Sequence, residues 1–201
     1  MQTEILWIAP TCALLLGYLL GSIPFGVILT RLGGAGDLRT IGSGNIGATN
    51  VLRTGRKGLA AATLLLDAAK GWAAVMLCEQ LWPGTGVLAA AAAFLGHLFP
   101  VWLKFRGGKG VATLMGIVLA LHPASALVYA LVWLGLLAAL RISSLAGMAA
   151  AVSAPVSAAL FGRFDIVFLL VALALLVLWK HRENIDRLLS GTEPRIGRKG
   201  G

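Results

Sequence analysis

The sequence predicts an all-α integral membrane protein of about seven transmembrane helices, and three observations lead there. Of 201 residues, 58% are hydrophobic and only 12% charged, where a soluble domain carries about 25% charged residues. Mean hydropathy is +0.87. The apolar residues are gathered into runs separated by short stretches rich in glycine, lysine and arginine. The length suits one domain, residues 1–201, ending in a basic tail from about residue 180. A net charge of +9 would point to nucleic acid in a soluble protein. In so apolar a chain it points to cytoplasmic loops facing anionic lipid or substrate, and no nucleic-acid partner is expected.

The first run, Ile5–Leu29, follows Met1-Gln2-Thr3-Glu4, which lacks the basic segment of a cleavable signal. It is expected to be a retained first span. Further runs cover Leu59–Cys78, Gly86–Leu103, Val111–Leu121, Ala124–Leu140, Leu145–Phe161 and Ile166–Trp179. Most approach the ~20 residues that cross a bilayer. Val111–Leu121 would reach only ~16 Å. It is either a short helix or half of a hairpin with Ala124–Leu140, turned at His122-Pro123. Pro24, late in the first run, removes a backbone donor and bends the helix there; it is either a packing kink or a ligand position. Gly21, Gly26 and the alanine tract Leu88–Phe94 allow close helix approach.

Basic residues set the orientation. Arg31, Arg39, Arg53, Arg56 and Lys57 follow the first run. Lys104, Arg106 and Lys109 follow the third, and Arg141 the fifth. Lys180, Arg182, Arg187, Arg195, Arg198 and Lys199 lie in the tail. Seven helices put all of them on one side, the cytoplasmic one, leaving Glu4, Glu79, Arg163 and Asp165 on the other. The N-terminus is then outside and the C-terminus inside.

The stretch Gly42–Asn50, "GSGNIGATN", matches G-x-G-x-x-G, and Asp67 lies downstream as in a dinucleotide fingerprint. No strand precedes it and Asp67 falls inside an apolar run, so that reading fails; "RGGKGVAT" around Lys109 also lacks the spacing of a Walker A loop. Glycines let backbone N–H groups approach an anion and line a concave site. Ser43, Asn45, Thr49 and Asn50 add neutral donors, and Arg53 adds a planar fork suited to phosphate. Gly107, Gly108 and Gly110 repeat the recipe around Lys109, with Thr113 after it and His97 shortly before. His181 and Asn184, at i and i+3, share a face at a helix end. Together these point to a phosphate-bearing substrate; headgroup anchoring and loop solubility are the simpler alternative.

Asp67 and Lys70 lie inside the second run, where each charge costs roughly 2.5–3.5 kcal/mol to insert. They are expected to clamp that helix to the site or to move protons. Cys12 and Cys78 read as small core residues. The three histidines and eight acids form no plausible metal-ligand set, and no cofactor is expected.

Four pieces, "GSIPFG", "GSGNIGATNVLR" with "LDAAKG" downstream, "GHLFPVWLKFRGGKGVAT" and "HRENIDRLLSGTEP", spread from Gly21 to Pro194, strongly resemble the bacterial membrane acyl-phosphate:glycerol-3-phosphate acyltransferases, the PlsY family. The resemblance implies seven helices in the bacterial cytoplasmic membrane, with the site facing the cytoplasm. It implies transfer of a fatty acyl group from acyl phosphate, not acyl-CoA, to the 1-hydroxyl of sn-glycerol 3-phosphate. Lysophosphatidic acid and phosphate are the products, and phospholipid synthesis begins there. A functional link to an enzyme that makes acyl phosphate is also implied, as is contact with membrane lipids.

Other glycerolipid acyltransferases use a His-x-x-x-x-Asp base. Here Trp102 follows His97 and Leu127 follows His122 at that spacing. His181 and Asp186 fit it, but residues at i and i+5 do not share a helix face. The resemblance implies instead that the donor's own phosphate accepts the hydroxyl proton. Ser43, Arg53, Lys109, His181 and Asn184, with Ser144, are expected to hold glycerol 3-phosphate. The backbone of Gly42, Gly44 and Gly47, with Asn45 and Thr49, is expected to stabilise the donor phosphate or the oxyanion, with Gly108 lining the second loop. His97 orients the site or is the fallback base. Two other classes compete. A small anion transporter should show an internal repeat and midplane polar groups; the repeat is missing and the polar signal is one-sided. A non-enzymatic scaffold needs no phosphate pocket.

Overall fold

The computed structural model describes residues 2–197, all of whose regular elements are helical. Arg198 and Lys199 of the basic tail lie outside the described residues, as does the side chain of Glu4. The chain divides into two compact units, Met1–Leu121 and His122–Gly201.

The first unit holds α1 (Gln2–Gly21), α2 (Phe25–Leu32), α3 (Ala48–Leu52), α4 (Lys57–Leu81), α5 (Gly86–Leu98) and α6 (Val111–Leu121), with single 3₁₀ turns at Leu38–Thr40 and Val101–Leu103. Small residues decide its packing. A Cβ on Gly17 would stand 2.7 Å from the Ala89 carbonyl oxygen, and one on Gly21 would overlap that of Ala93. Gly17 and Gly21 thus seat α1 on the alanine tract of α5, backbone against backbone. The α4–α6 seam is built alike, with Gly71 against Thr113 and Gly116 against Ala68.

The expected kink at Pro24 is a full break. α1 ends at Gly21, three residues intervene, and α2 starts at Phe25. Pro24 has no N–H to continue the ladder, and side chains from elsewhere take up carbonyls at the break. Trp102 Nε1 donates to the Ser22 carbonyl at 2.6 Å, and Lys70 Nζ to that of Ile23 at 2.8 Å.

The second unit holds α7 (Pro123–Leu140), α8 (Ser143–Leu160), α9 (Phe164–Lys180) and α10 (Arg182–Leu189). α7 packs on α8, and α8 on α9. His122 caps α7, its Nδ1 accepting the Ser125 N–H at 3.3 Å.

Each of the seven predicted apolar runs contains a helix, but they are not equal spans. Trp7–Leu32 taken across its break, Lys57–Leu81, Gly86–Leu103, Pro123–Leu140 and Ser143–Leu160 are long and apolar enough to cross a membrane. A sixth span results if α9 and α10, bent by 60°, count together. α6 is apolar but has 11 residues. Large apolar side chains such as Leu65, Leu131 and Phe168 are exposed, as in a protein whose outer surface meets lipid.

Candidate functional site

Residues 41–47 form the first glycine-rich loop, and one buried side chain organises it. The Asn50 amide donates to the carbonyls of Leu38 (3.1 Å), Ile41 (2.9 Å) and Asn45 (2.8 Å). Its Oδ1 accepts the Ser43 N–H at 3.3 Å. Asn50, read from sequence as a ligand donor, is therefore the loop's internal scaffold, tying three of its carbonyls and one N–H together. Gly42 has φ of 55°, and a Cβ there would lie 2.6 Å from Asn50 Oδ1 and 2.7 Å from Arg53 Nη1. Only glycine fits, and the Arg53 guanidinium lies across the loop backbone. Asn45 Oδ1 accepts the Gly47 N–H at 2.9 Å, turning the chain into α3. Gly44 turns the backbone with φ of 66°. Ser43, Thr49 and Arg53 are on the exposed side. Arg39, another cation of this region, is paired with Asp37 at 2.6 Å. Its hydrogen bonds hold the Asp37 carboxyl well below the usual carboxylate range.

The second loop opens at Lys104 and Phe105, consecutive non-glycine residues with φ of 52° and 61°, a conformation L residues adopt only under constraint. The chain then doubles back on the end of α5. Gly107 N–H donates to the Leu98 carbonyl and Gly108 N–H to that of His97, both at 3.1 Å. A Cβ on Gly108 would overlap His97 Nε2, so the imidazole lies flush against the loop. Lys109 follows, half-buried. The turn Val101–Leu103 ties the loops together, since Leu103 packs on the cluster of Val27, Leu38, Ile46 and Val51 beneath the first loop.

Behind His97 lies the intramembrane pair. Asp67, Lys70 and His97 are all at most 4% exposed. Lys70 Nζ stands 2.6 Å from Asp67 Oδ1, and His97 Nδ1 stands 3.8 Å from the same oxygen.

The second unit has its own polar cluster. Ser144 Oγ and Asn184 Nδ2 each donate to Glu193 Oε1 at 2.6 Å, and Arg187 Nε donates to Oε2 at 2.7 Å. The tail is pinned by the Ile196 N–H donating to the Arg141 carbonyl at 2.7 Å. Burial raises the Glu193 carboxyl, but the three donors and the Arg187 charge outweigh it and hold the group below its usual value. Ser144 and Asn184, expected to meet substrate, are thus turned toward a carboxylate that the sequence reading assigned no role. Glu193 and Arg187 stood inside "HRENIDRLLSGTEP", but only chain folding shows that the Gly191 turn carries one back to the other. His181, at the junction of α9 and α10, has Nδ1 2.8 Å from the Val177 carbonyl. A carbonyl only accepts, so Nδ1 carries the hydrogen. The expected face shared by His181 and Asn184 is a bent junction, closed by the Asn184 N–H donating to the His181 carbonyl at 2.8 Å.

The site residues read from sequence therefore fall into three groups. Gly42, Ser43, Gly44, Asn45, Gly47, Thr49 and Arg53 share the first loop; His97, Gly108 and Lys109 share the second; Ser144, His181 and Asn184 belong to the other unit.

Residues 11–191 match the family described as Glycerol-3-phosphate acyltransferase. A glycerol-3-phosphate acyltransferase from Methylorubrum populi is 58% identical, covering 96% of this chain and 96% of its own. One from Mesorhizobium japonicum is also 58% identical, covering 94% and 96%. The crystal structure of PlsY, an integral membrane glycerol 3-phosphate acyltransferase, in its glycerol 3-phosphate form superposes with a TM-score of 0.88 at 39% identity, covering 94% of this chain and 96% of that one. The lysophosphatidic acid form gives 0.86 at 38%, covering 94% and 95%.

Proposed function

Because the chain belongs to the glycerol-3-phosphate acyltransferase family, and is an integral membrane acyltransferase of PlsY type, we propose that it uses acyl phosphate as donor. The 1-hydroxyl oxygen of sn-glycerol 3-phosphate attacks the acyl carbonyl carbon. The bond from that carbon to the phosphate oxygen breaks, and the hydroxyl proton passes to the departing phosphate. Lysophosphatidic acid and inorganic phosphate result, the opening step of phospholipid synthesis. The protein sits in the bacterial inner membrane with its N-terminus outside and its glycine-rich loops facing the cytoplasm.

The observation that carries the reading is the pair of glycine-rich loops, each held open from beneath by a buried side chain, Asn50 or His97. Both substrates carry phosphate, and preorganised backbone donors suit phosphate oxygens and a developing oxyanion. An acyl phosphate is a reactive mixed anhydride, so positioning and charge stabilisation are the main tasks left to the protein. Arg53 and Lys109 neutralise phosphate, and Ser43, Asn45 and Thr49 with the backbone of Gly42–Gly47 meet the reacting groups. Ser144 supports Asn184 through Glu193. His97 holds the second loop and is not the general base. The solved relative's glycerol 3-phosphate and lysophosphatidic acid forms name the same acceptor and product.

The test is transfer of labelled acyl to glycerol 3-phosphate by purified protein in detergent, with acyl phosphate and acyl-CoA run in parallel. Lysophosphatidic acid from acyl phosphate alone is the expected result. Product from acyl-CoA alone overturns the donor. No product from either, in folded protein, removes the acyltransferase activity and brings the transporter forward.

A further inference from the structure

We infer that Asp67 and Lys70 are positioning residues for acyl transfer, one ion pair within α4 that fixes the supports of both glycine-rich loops. The inference rests on the proposed reaction. The pair itself could sit anywhere along a helix, since residues at i and i+3 are neighbours. What singles it out is the third and fourth partner. Lys70 Nζ, bonded to Asp67 at 2.6 Å, also donates to the Ile23 carbonyl at 2.8 Å. Ile23 lies in the break between α1 and α2, directly before Pro24. From there α2 carries Gly26, whose Cα abuts the Ile46 carbonyl of the first loop. Lys70 thus reaches the first loop through one rigid two-turn helix.

On the other side, Asp67 Oδ1 faces His97 Nδ1 at 3.8 Å. His97 holds the second loop twice, by its carbonyl to the Gly108 N–H and by its ring against Gly108. One carboxylate oxygen is therefore shared by the ammonium that steadies one loop and the imidazole that steadies the other. Ser22 Oγ and Thr113 Oγ1 flank the pair, on the residue before Ile23 and against Gly71 respectively. Both are fully buried and find no hydrogen-bond partner among the described residues. The polar groups of this region thus exceed what helix packing requires. A buried ion pair contributes little net stability compared with apolar residues of similar volume. A role in stability alone does not explain its presence; fixing loop geometry does.

The experiment compares wild type with the charge-free double variant Asp67→Leu/Lys70→Met. It reads melting temperature, the Kd for glycerol 3-phosphate, and kcat and KM for both substrates. The expected result is a folded protein in which both KM values and the Kd rise together and kcat/KM falls about a hundredfold, the scale of an ångström-sized misplacement. A folded double variant whose Kd and kcat/KM stay within about threefold of wild type overturns the inference. Should that variant not fold, the isosteric Asp67→Asn decides on the same constants, and unchanged constants overturn it. Loss of the fold in both also overturns it, because the pair would then hold helices and not loops. Wild-type protein that binds glycerol 3-phosphate but makes no product would remove the acyl-transfer reading and leave the Kd comparison to judge the pair.

Discussion

The first glycine-rich loop and the Glu193 cluster both gather polar groups on an otherwise apolar protein, but they are built from opposite ends. At the first loop a neutral buried amide, Asn50, holds backbone carbonyls and leaves Ser43, Thr49 and Arg53 at the surface. At Glu193 a charged acceptor draws three side-chain donors onto itself. The first leaves polar side chains at the surface; the second turns its donors inward onto a carboxylate of the chain. Removing the organiser should therefore have different consequences. Loss at the loop should show in kinetics, and loss at the carboxylate should show in the fold.

Glu193→Ala breaks the comparison most directly. It leaves Ser144 Oγ, Asn184 Nδ2 and Arg187 Nε without their acceptor; hydrogen bonds to a charged group contribute about 1.5–3 kcal/mol each, and water reaching the freed donors offsets more than half of the total, so the expected net loss is about 3 kcal/mol. Denaturant unfolding in detergent measures it; a loss confined to kcat, with unfolding unchanged, would make Glu193 part of the reacting site. Gly108→Ala comes next. Its methyl group would overlap His97 Nε2, so kcat/KM should fall about a hundredfold while the fold persists. Gly135→Ala, whose Cβ would meet nothing within 4 Å, is the control and should leave both unchanged. Arg53→Lys keeps the charge but loses the planar fork, so the KM for a phosphate-bearing substrate should rise about tenfold with kcat nearly preserved. A lysine as good as arginine would mean that the site needs charge alone.

The smallest effect is on pH. The Glu193 carboxyl titrates below its usual 4.5. The stability it confers is complete above that value and is lost as pH falls through its folded pKa. Melting temperature followed into acid should decline through that window in wild type and less so in Glu193→Gln. Equal slopes would place the acid sensitivity elsewhere.

The spans and glycine-rich loops were legible because their signals are local. Apolar runs, Gly, Pro and clustered cations declare themselves within a dozen residues. Val111–Leu121 was matched to the residue. The break at Pro24 was legible as a bend but not as a gap, because what makes a gap tolerable is the Trp102 indole and the Lys70 ammonium, drawn from a distant turn and a distant helix. Asn50 was misread for the same reason. An asparagine beside three glycines looks like a ligand donor until its amide is seen on three carbonyls of its own loop. Glu193 is hidden in the sequence because acids in a basic tail read as solubilising charge, and nothing local marks the distant Ser144 and Asn184 as its donors.

The break in the first span also bears on how the chain is assembled. Synthesis runs from the N-terminus, so Ile23 and its carbonyl precede α4. When α4 enters, Asp67 and Lys70 are already neutralised within one turn, lowering the roughly 2.5–3.5 kcal/mol each would cost alone. Lys70 then finds the Ile23 carbonyl on a segment already made, whereas His97 comes only with the next helix. The polar groups in this interior can thus be matched in the order in which they emerge, each new helix meeting a partner laid down before it.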